Sequence, residues 1–223
     1  AFVASGLRHD MLVLPSQRRL LRELLKHHTG GQMKIAPEHV ANRPLRLMRK
    51  PGMGAYKEFR ALFNTLRDEC ESKLYPIPYL IAGHPGTTLE DAVDLARFAK
   101  RLGHFAEQVQ QFTPTPMTPA TCMYWTRRDP GTGESVFVPT GAEAKLQKAL
   151  AQFQAPRNRE KITRFFARRG DRAILDELYA PKEGRGGTKG GRKPFASGAD
   201  RAIIRNPGKR THRRGRVSSE EDS

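Results

Sequence analysis

The sequence predicts an α/β fold in which strands and helices alternate along the first 125 residues. Short apolar runs that end at Gly or Pro are typical of buried strands. Between them, apolar residues recur every three or four positions, as on one face of a helix. Because a helix joins each pair of successive strands, the strands are expected to pair in parallel through right-handed crossovers. The pattern indicates half of a βα barrel or a small open sheet.

Four apolar runs carry the predicted strands, at residues 2–6, 33–37, 77–82 and 106–112. The first helix is expected after Pro15, with Ser16 as its N-cap. The second has an apolar face built from Tyr56, Phe59, Leu62, Phe63 and Leu66. The third opens with a capping box over residues 87–90 and ends at Gly103.

The pattern changes after Trp125, and we divide the chain into three parts. Residues 1–125 form the α/β part, and residues 126–180 form a small, mainly helical domain with a brief strand at 136–138. Residues 181–223 form a Gly/Arg/Lys-rich tail with 12 Lys+Arg, 5 Asp+Glu and few large apolar side chains, which is typical of a disordered segment. The tail is either a weak, nonspecific nucleic-acid contact or a solubilising segment with no partner.

Composition excludes several classes of protein. The formal net charge is +17, from 40 Lys+Arg against 23 Asp+Glu. No apolar run is long enough to cross a membrane, and the first residues do not form a secretory signal, so we expect a cytoplasmic protein. Cys70 and Cys122 are the only cysteines, which excludes a disulfide framework and an iron–sulfur or zinc site made of cysteines alone.

Candidate functional residues follow the predicted strands, at residues 5–8, 38–39, 83–87 and 113–116. Ligands of parallel βα folds bind at the carboxyl ends of strands. A carboxylate there can accept from ribose hydroxyls, glycines let backbone approach a base, and an arginine can pair with a carboxylate. Taken singly, the Gly-rich segment is also explained as a tight turn, and Glu38 and His39 as solvated loop residues.

Five strings follow one another in the order and spacing of a known family: FVASGLRHD, KIAPEH, RLMRKPGMGAY, IPYLIAGHPGTTLEDAV and EQVQQFTPTPMTPATCMYW. Over residues 2–180 the chain resembles the later part of a radical S-adenosylmethionine (radical SAM) enzyme of the YgiQ type, also called UPF0313. The resemblance implies a partial (βα) barrel of the radical SAM type, of which only strands three to six are present, with the helical domain and tail appended.

The resemblance also implies that these strand ends bind S-adenosylmethionine. Glu38 would lie near the ribose, while Ile81 and Gly83 would present backbone and apolar surface to the adenine. Gln110 and Phe112, at the end of the last strand, would close the adenine side.

Two further positions complete the implied cofactor site. Gly86 would shape the loop after the third strand, and Arg8 would hold a carboxylate of the substrate or of the methionine moiety. In the complete enzyme, a [4Fe-4S] cluster would cleave S-adenosylmethionine to a 5′-deoxyadenosyl radical that acts on an unknown substrate. No CxxxCxxC motif occurs in this sequence, so the cluster ligands are not in this chain. We expect a fragment whose N-terminal, cluster-bearing segment is missing, or a separate chain that supplies it.

Other functions remain open from the residues themselves. The chain could be a non-catalytic basic module that binds RNA or ribosomes, or an ordinary α/β enzyme with an acid–base pair at Glu38 and His39. A metal site built from His9, His39 and His84 is a further hypothesis, because all three follow predicted strands.

Overall fold

A three-stranded parallel sheet organises the protein, as seen in a computed structural model that describes residues 1–180. The strands are β1 (Gln32–Glu38), β2 (Tyr75–Ala82) and β3 (Val109–Gln111), and they lie in the order β1-β2-β3. The fold is therefore mixed α/β with a parallel sheet, as the alternation of elements predicts. Predictions about residues 181–223 lie outside the described residues.

The predicted strand at residues 2–6 is wrong. The chain makes a single parallel bridge, Leu7 to Ile35, in which Leu7 N donates to Lys34 O (2.8 Å) and Ala36 N donates to Leu7 O (3.0 Å). Phe2 is 72% exposed, so there is little apolar burial to hold residues 2–6 in an extended conformation against β1. The predicted strand at 136–138 is also not formed, and only a bridge between Arg128 and Ser135 lies nearby.

Five helices precede β3, and all of them except the third contribute residues to the core that contains β1 and β2. They are α1 (His9–Leu12), α2 (Arg18–His27), α3 (Asn42–Leu47), α4 (Met53–Glu69) and α5 (Leu89–Leu102), with a 3₁₀ turn at Pro15–Gln17. Ser16 lies within that turn and caps no helix. The predicted apolar face of α4 is buried, since Phe59, Phe63 and Leu66 are fully inaccessible to solvent.

The capping box of α5 lies one residue later than predicted. Thr88 is the N-cap; its Oγ1 accepts from Asp91 N (3.3 Å), and Asp91 Oδ2 accepts from Thr88 N (2.9 Å). Thr87 is instead fully buried. Gly103 ends α5 in the left-handed region at φ 84°, as expected for a helix stop.

Between β3 and residue 180 the structure has four more helices: α6 (Pro119–Thr126), α7 (Gly141–Ala151), α8 (Pro156–Arg169) and α9 (Arg172–Tyr179). The three helices predicted between residues 141 and 180 are thus confirmed. α7 packs on α5 and β3, and α8 and α9 pack beyond it, so that Leu150, Ile162 and Phe166 belong to the same core as β1 and β2. Within residues 1–180, no helix combines the length and apolar character needed to cross a bilayer.

Candidate functional site

A cavity of about 380 Å³ lies at the carboxyl ends of the three strands. Its walls come from the end of each strand, from the loop between α3 and α4, and from the segment that enters α6. The residues are Glu38, Leu47, Met48, Arg49, Lys50, Ile81, His84, Gln110, Gln111, Phe112, Thr113, Thr115, Thr118, Pro119 and Ala120. We call this the strand-end cavity.

Glu38 ends β1 in an uncommon conformation. Its φ is 67°, in the left-handed region, and the register of β1 against β2 shifts between Ile35 and Glu38. That conformation destabilises a residue with a Cβ by roughly 1–2 kcal/mol, and residues strained in this way are found most often at functional sites. The shift places the Glu38 carboxylate on the wall of the cavity.

Lys50 reaches the same wall from the loop after α3. Its Nζ lies 3.3 Å from Glu38 Oε1 and also donates to Ala36 O at 3.3 Å. Both side chains are largely shielded, with 18% of Glu38 and 19% of Lys50 exposed. The cavity therefore combines an anchored ammonium group with a carboxylate that has a second oxygen outside the ion pair.

The segment after β2 forms one side of the cavity through His84. Its ring packs edge-on against Phe112, with 5.1 Å between centroids, and its Nδ1 donates to Pro85 O at 2.7 Å. Burial lowers the pKa of His84, so the ring is neutral at neutral pH and contributes apolar surface with one fixed tautomer.

The two glycines after β2 have different neighbours. Gly83 (φ 74°) faces α7, where a Cβ would lie 3.7 Å from Ala144 Cβ, and Gly83 is not on the cavity wall. Gly86 (φ 88°) abuts Leu47, and a Cβ there would lie 2.1 Å from Leu47 Cδ1. Gly86 thus allows Leu47 to occupy the cavity wall, although it does not line the cavity itself.

Threonines organise the third side, between β3 and α6. Phe112 N donates to Ala82 O (2.8 Å), which extends the ladder beyond β3. Thr118 caps α6 by accepting from Thr121 N (3.2 Å) while its hydroxyl donates to Thr115 O (2.9 Å). These bonds hold the first turn of α6 against the cavity.

The structure brings together four of the seven predicted cofactor-binding residues. Glu38, Ile81, Gln110 and Phe112 line the strand-end cavity, whereas Gly83 and Gly86 lie behind its wall. Arg8 is on the surface, where it pairs with Asp10 at 2.6 Å and has 53% of its side chain exposed.

Sequence reasoning missed the contribution of residues 47–50. These residues lie in the RLMRKPGMGAY string, which supported the resemblance but received no individual roles. The available signal was a pair of cations, Arg49 and Lys50, directly before a Pro-Gly break and close in sequence to Glu38.

The three histidines do not form a metal site, and within residues 1–180 no group of three His, Cys, Asp or Glu is placed to hold a metal. His9 packs against Tyr56 with ring centroids 5.6 Å apart. His39 is fully buried, its Nδ1 accepts from Ala41 N (3.1 Å), and burial lowers its pKa to about 4. His39 is absent from the cavity wall, so the structure does not pair it with Glu38 there.

Comparison with known proteins identifies the relatives of this chain. Residues 107–173 match a family described as "Domain of unknown function (DUF3362)". A UPF0313 protein of Geobacter sulfurreducens is 44% identical over 190 residues, covering 85% of this chain and 30% of that protein. The UPF0313 protein YgiQ of Escherichia coli is 43% identical over 162 residues, covering 70% of this chain and 22% of YgiQ.

A UPF0313 protein of Clostridium perfringens strain SM101 is 43% identical over 158 residues, covering 70% of this chain and 24% of the relative. The chain therefore spans less than a third of the length of these relatives. No solved structure matches it. The resemblance to YgiQ-type proteins that the five strings indicate is confirmed by these relatives.

Proposed function

We propose that this chain, a homologue of the UPF0313 proteins, contributes the S-adenosylmethionine pocket of a radical SAM enzyme. The proposal is carried by one observation: Glu38, Ile81 and Phe112, from three different strand ends, meet around one cavity with the polarity that a nucleoside needs. Three neighbouring parallel strands that converge on a ligand are the expected geometry of a βα site.

The residues present fit S-adenosylmethionine. A cavity of about 380 Å³ lies within the usual range for small-molecule sites, roughly 300–1,000 Å³. The Glu38 carboxylate can accept from the two ribose hydroxyls, the Phe112 ring and Ile81 offer apolar surface to the adenine, and the Lys50 ammonium can pair with the methionine carboxylate. When bound, S-adenosylmethionine would supply the sulfonium whose cleavage begins radical chemistry.

The residues do not fit an iron–sulfur cluster. A cluster needs three or four thiolates, and the sequence holds only Cys70, at the end of α4, and Cys122, on α6. The described chain therefore binds, orients and shields, and no redox step is assigned to it. We propose that another segment of the complete protein, or a partner chain, carries the cluster and acts together with this chain on the substrate.

Orientation depends on fixed groups around the cavity. Lys50 is anchored on Ala36 O, so it holds the Glu38 carboxylate in place before a ligand arrives. His84 and Phe112 pack edge-to-face, which fixes both rings on the cavity wall. Such preorganisation reduces the entropy lost when a ligand is ordered.

Calorimetric titration of the full chain with S-adenosylmethionine tests the proposal. The Glu38→Gln variant should bind at least about tenfold more weakly, because a hydrogen bond to a charged acceptor contributes about 1.5–3 kcal/mol. Glu58→Gln is the matched control, since Glu58 is exposed on α4 and absent from the cavity wall. Absence of binding by the unsubstituted chain, or equal binding by Glu38→Gln and the control, would contradict the proposed pocket.

A further inference from the structure

The exposed face of α8 carries a row of cations that the proposed cofactor pocket does not use. Arg157, Lys161, Arg164 and Arg168 follow one another at spacings of four, three and four residues. At 3.6 residues per turn these positions fall within about 60° of the helix circumference, and they span about 16 Å along its axis. We call these four residues the α8 stripe.

The α8 stripe is fixed in place by the opposite face of the helix. Ile162 and Phe166 are both 0% exposed and belong to the core shared with the sheet. Their burial leaves the stripe facing solvent, and all four of its residues are exposed. A surface cavity of about 520 Å³ lies among these side chains and Arg169.

Most of this charge is not neutralised locally. Arg164 pairs with Glu160 one turn away, and Arg169 lies against the Phe165 ring and pairs with Asp171 at 2.9 Å. Across residues 1–180, no carboxylate forms an ion pair with Arg157, Lys161 or Arg168. A ligand with several regularly spaced negative charges would satisfy all three.

We propose that the α8 stripe is a docking surface for the phosphate backbone of duplex nucleic acid. Cations repeated along one face of a helix that is anchored in the core match a linear array of phosphates, and guanidinium groups pair well with phosphate oxygens. The stripe has no exposed aromatic side chain on which a base could stack, because Phe165 is half-buried under Arg169. Recognition is therefore of the backbone and independent of base sequence.

An anionic membrane is the less suitable partner. Helices that lie on bilayers insert an apolar face, but that face of α8 is already in the core. None of the large apolar side chains exposed in residues 1–180 lies on α8. Neither observation weakens contact with a nucleic acid, which needs only the charged face.

The test measures binding of the full chain to a fluorescent 20-base-pair RNA duplex, and to a DNA duplex of the same sequence, by anisotropy at several salt concentrations. The triple variant Arg157→Gln/Lys161→Gln/Arg168→Gln should bind roughly tenfold or more weakly at low salt. The slope of log K against log salt should fall by about 2–3, because three phosphate contacts are lost. The control variant Arg18→Gln/Arg19→Gln/Lys26→Gln removes the same charge from exposed positions on α2 and should retain the slope.

A second variant distinguishes the loss of positive charge from misfolding of α8. Arg157→Lys/Arg168→Lys keeps the charge and should retain most of the binding and the full slope. Equal losses in the stripe and control triples would show that only net charge matters and would overturn the proposal. Binding to vesicles with 30% phosphatidylserine that depends on the stripe, without stripe-dependent binding to either duplex, would overturn it in favour of a lipid surface.

Discussion

Replacing Gly86 by alanine should destabilise the protein through one identified contact. The Cβ introduced there would lie 2.1 Å from Leu47 Cδ1, well inside van der Waals contact. The backbone at Gly86 has φ 88°, where a residue with a Cβ is strained, and its N–H donates to Phe137 O at 2.6 Å, so the loop cannot easily relax. Leu47 must therefore leave its position on the wall of the strand-end cavity.

The loss of stability expected for Gly86→Ala has two parts. The left-handed backbone costs alanine about 1–2 kcal/mol relative to glycine. Turning the half-buried Leu47 side chain away from the new Cβ costs about 0.5–1.5 kcal/mol more, because only the end of a flexible side chain has to move. Gly133 supplies the matched control, because its φ is 74° and a Cβ there meets nothing within 4 Å. Gly133→Ala should therefore cost only the backbone part.

Urea denaturation of the variants measures both parts as differences in the free energy of unfolding. Gly86→Ala should be about 0.5–1.5 kcal/mol less stable than Gly133→Ala. In a double-mutant cycle, Leu47→Ala should remove that excess, because the truncated side chain no longer meets the new Cβ. If Gly86→Ala and Gly133→Ala were equally destabilising, or if Gly86→Ala and Leu47→Ala were strictly additive, the assignment of the clash would be refuted.

Two further predictions concern helix capping and pH. Thr88→Ala should lower the free energy of unfolding by about 1 kcal/mol in the same denaturation assay, because it removes the capping box of α5. Thr140→Ala should lower it by only a few tenths of a kcal/mol, because Thr140 caps α7 without a side-chain hydrogen bond. Equal losses would contradict the role of the capping box. Burial lowers the pKa of His39 from 6.5 to about 4, so the folded protein holds this ring in its neutral form. Its contribution to the free energy of unfolding is therefore fully present above pH 6.5 and is lost as the pH falls toward 4. At about 1.36 kcal/mol per pKa unit this amounts to about 3 kcal/mol. His39→Asn should make the stability profile shallower over that window, and a smaller slope should remain because burial also lowers the pKa values of His9 and His84. An unchanged profile would disprove the prediction.

Local patterns predicted most of the secondary structure but failed where extended chain lacked burial. The apolar positions of α4, which recur every three or four residues, and the Gly103 stop of α5 depend on contacts within a few residues, and both are confirmed. Residues 2–6 have the composition of a strand, yet Phe2 remains exposed and only Leu7 pairs with β1. Strand formation depends on a partner edge and a covering layer, which local composition does not encode.

In the candidate site too, some residues could be predicted from the sequence and others could not. Glu38 could be placed at the site because parallel strands end at the same edge of a sheet, whereas Ile81 and Phe112 were assigned to it through the resemblance to YgiQ-type proteins. Lys50 could not, because its contact with Glu38 depends on how the loop after α3 folds back over β1. Arg8 was placed at the site by resemblance, but its nearest carboxylate, Asp10, holds it on the surface.

The amino-acid sequence by itself determined that three short strands alternate with helices and pair in parallel, and at which strand ends a ligand can bind, because these features follow from periodicity and connectivity. Tertiary structure alone decided which side chains share a cavity, which glycine meets a neighbouring leucine, and that the cations of α8 form one exposed row. The reason is physical: such arrangements depend on contacts between residues distant in the chain, and those contacts form only when the core packs.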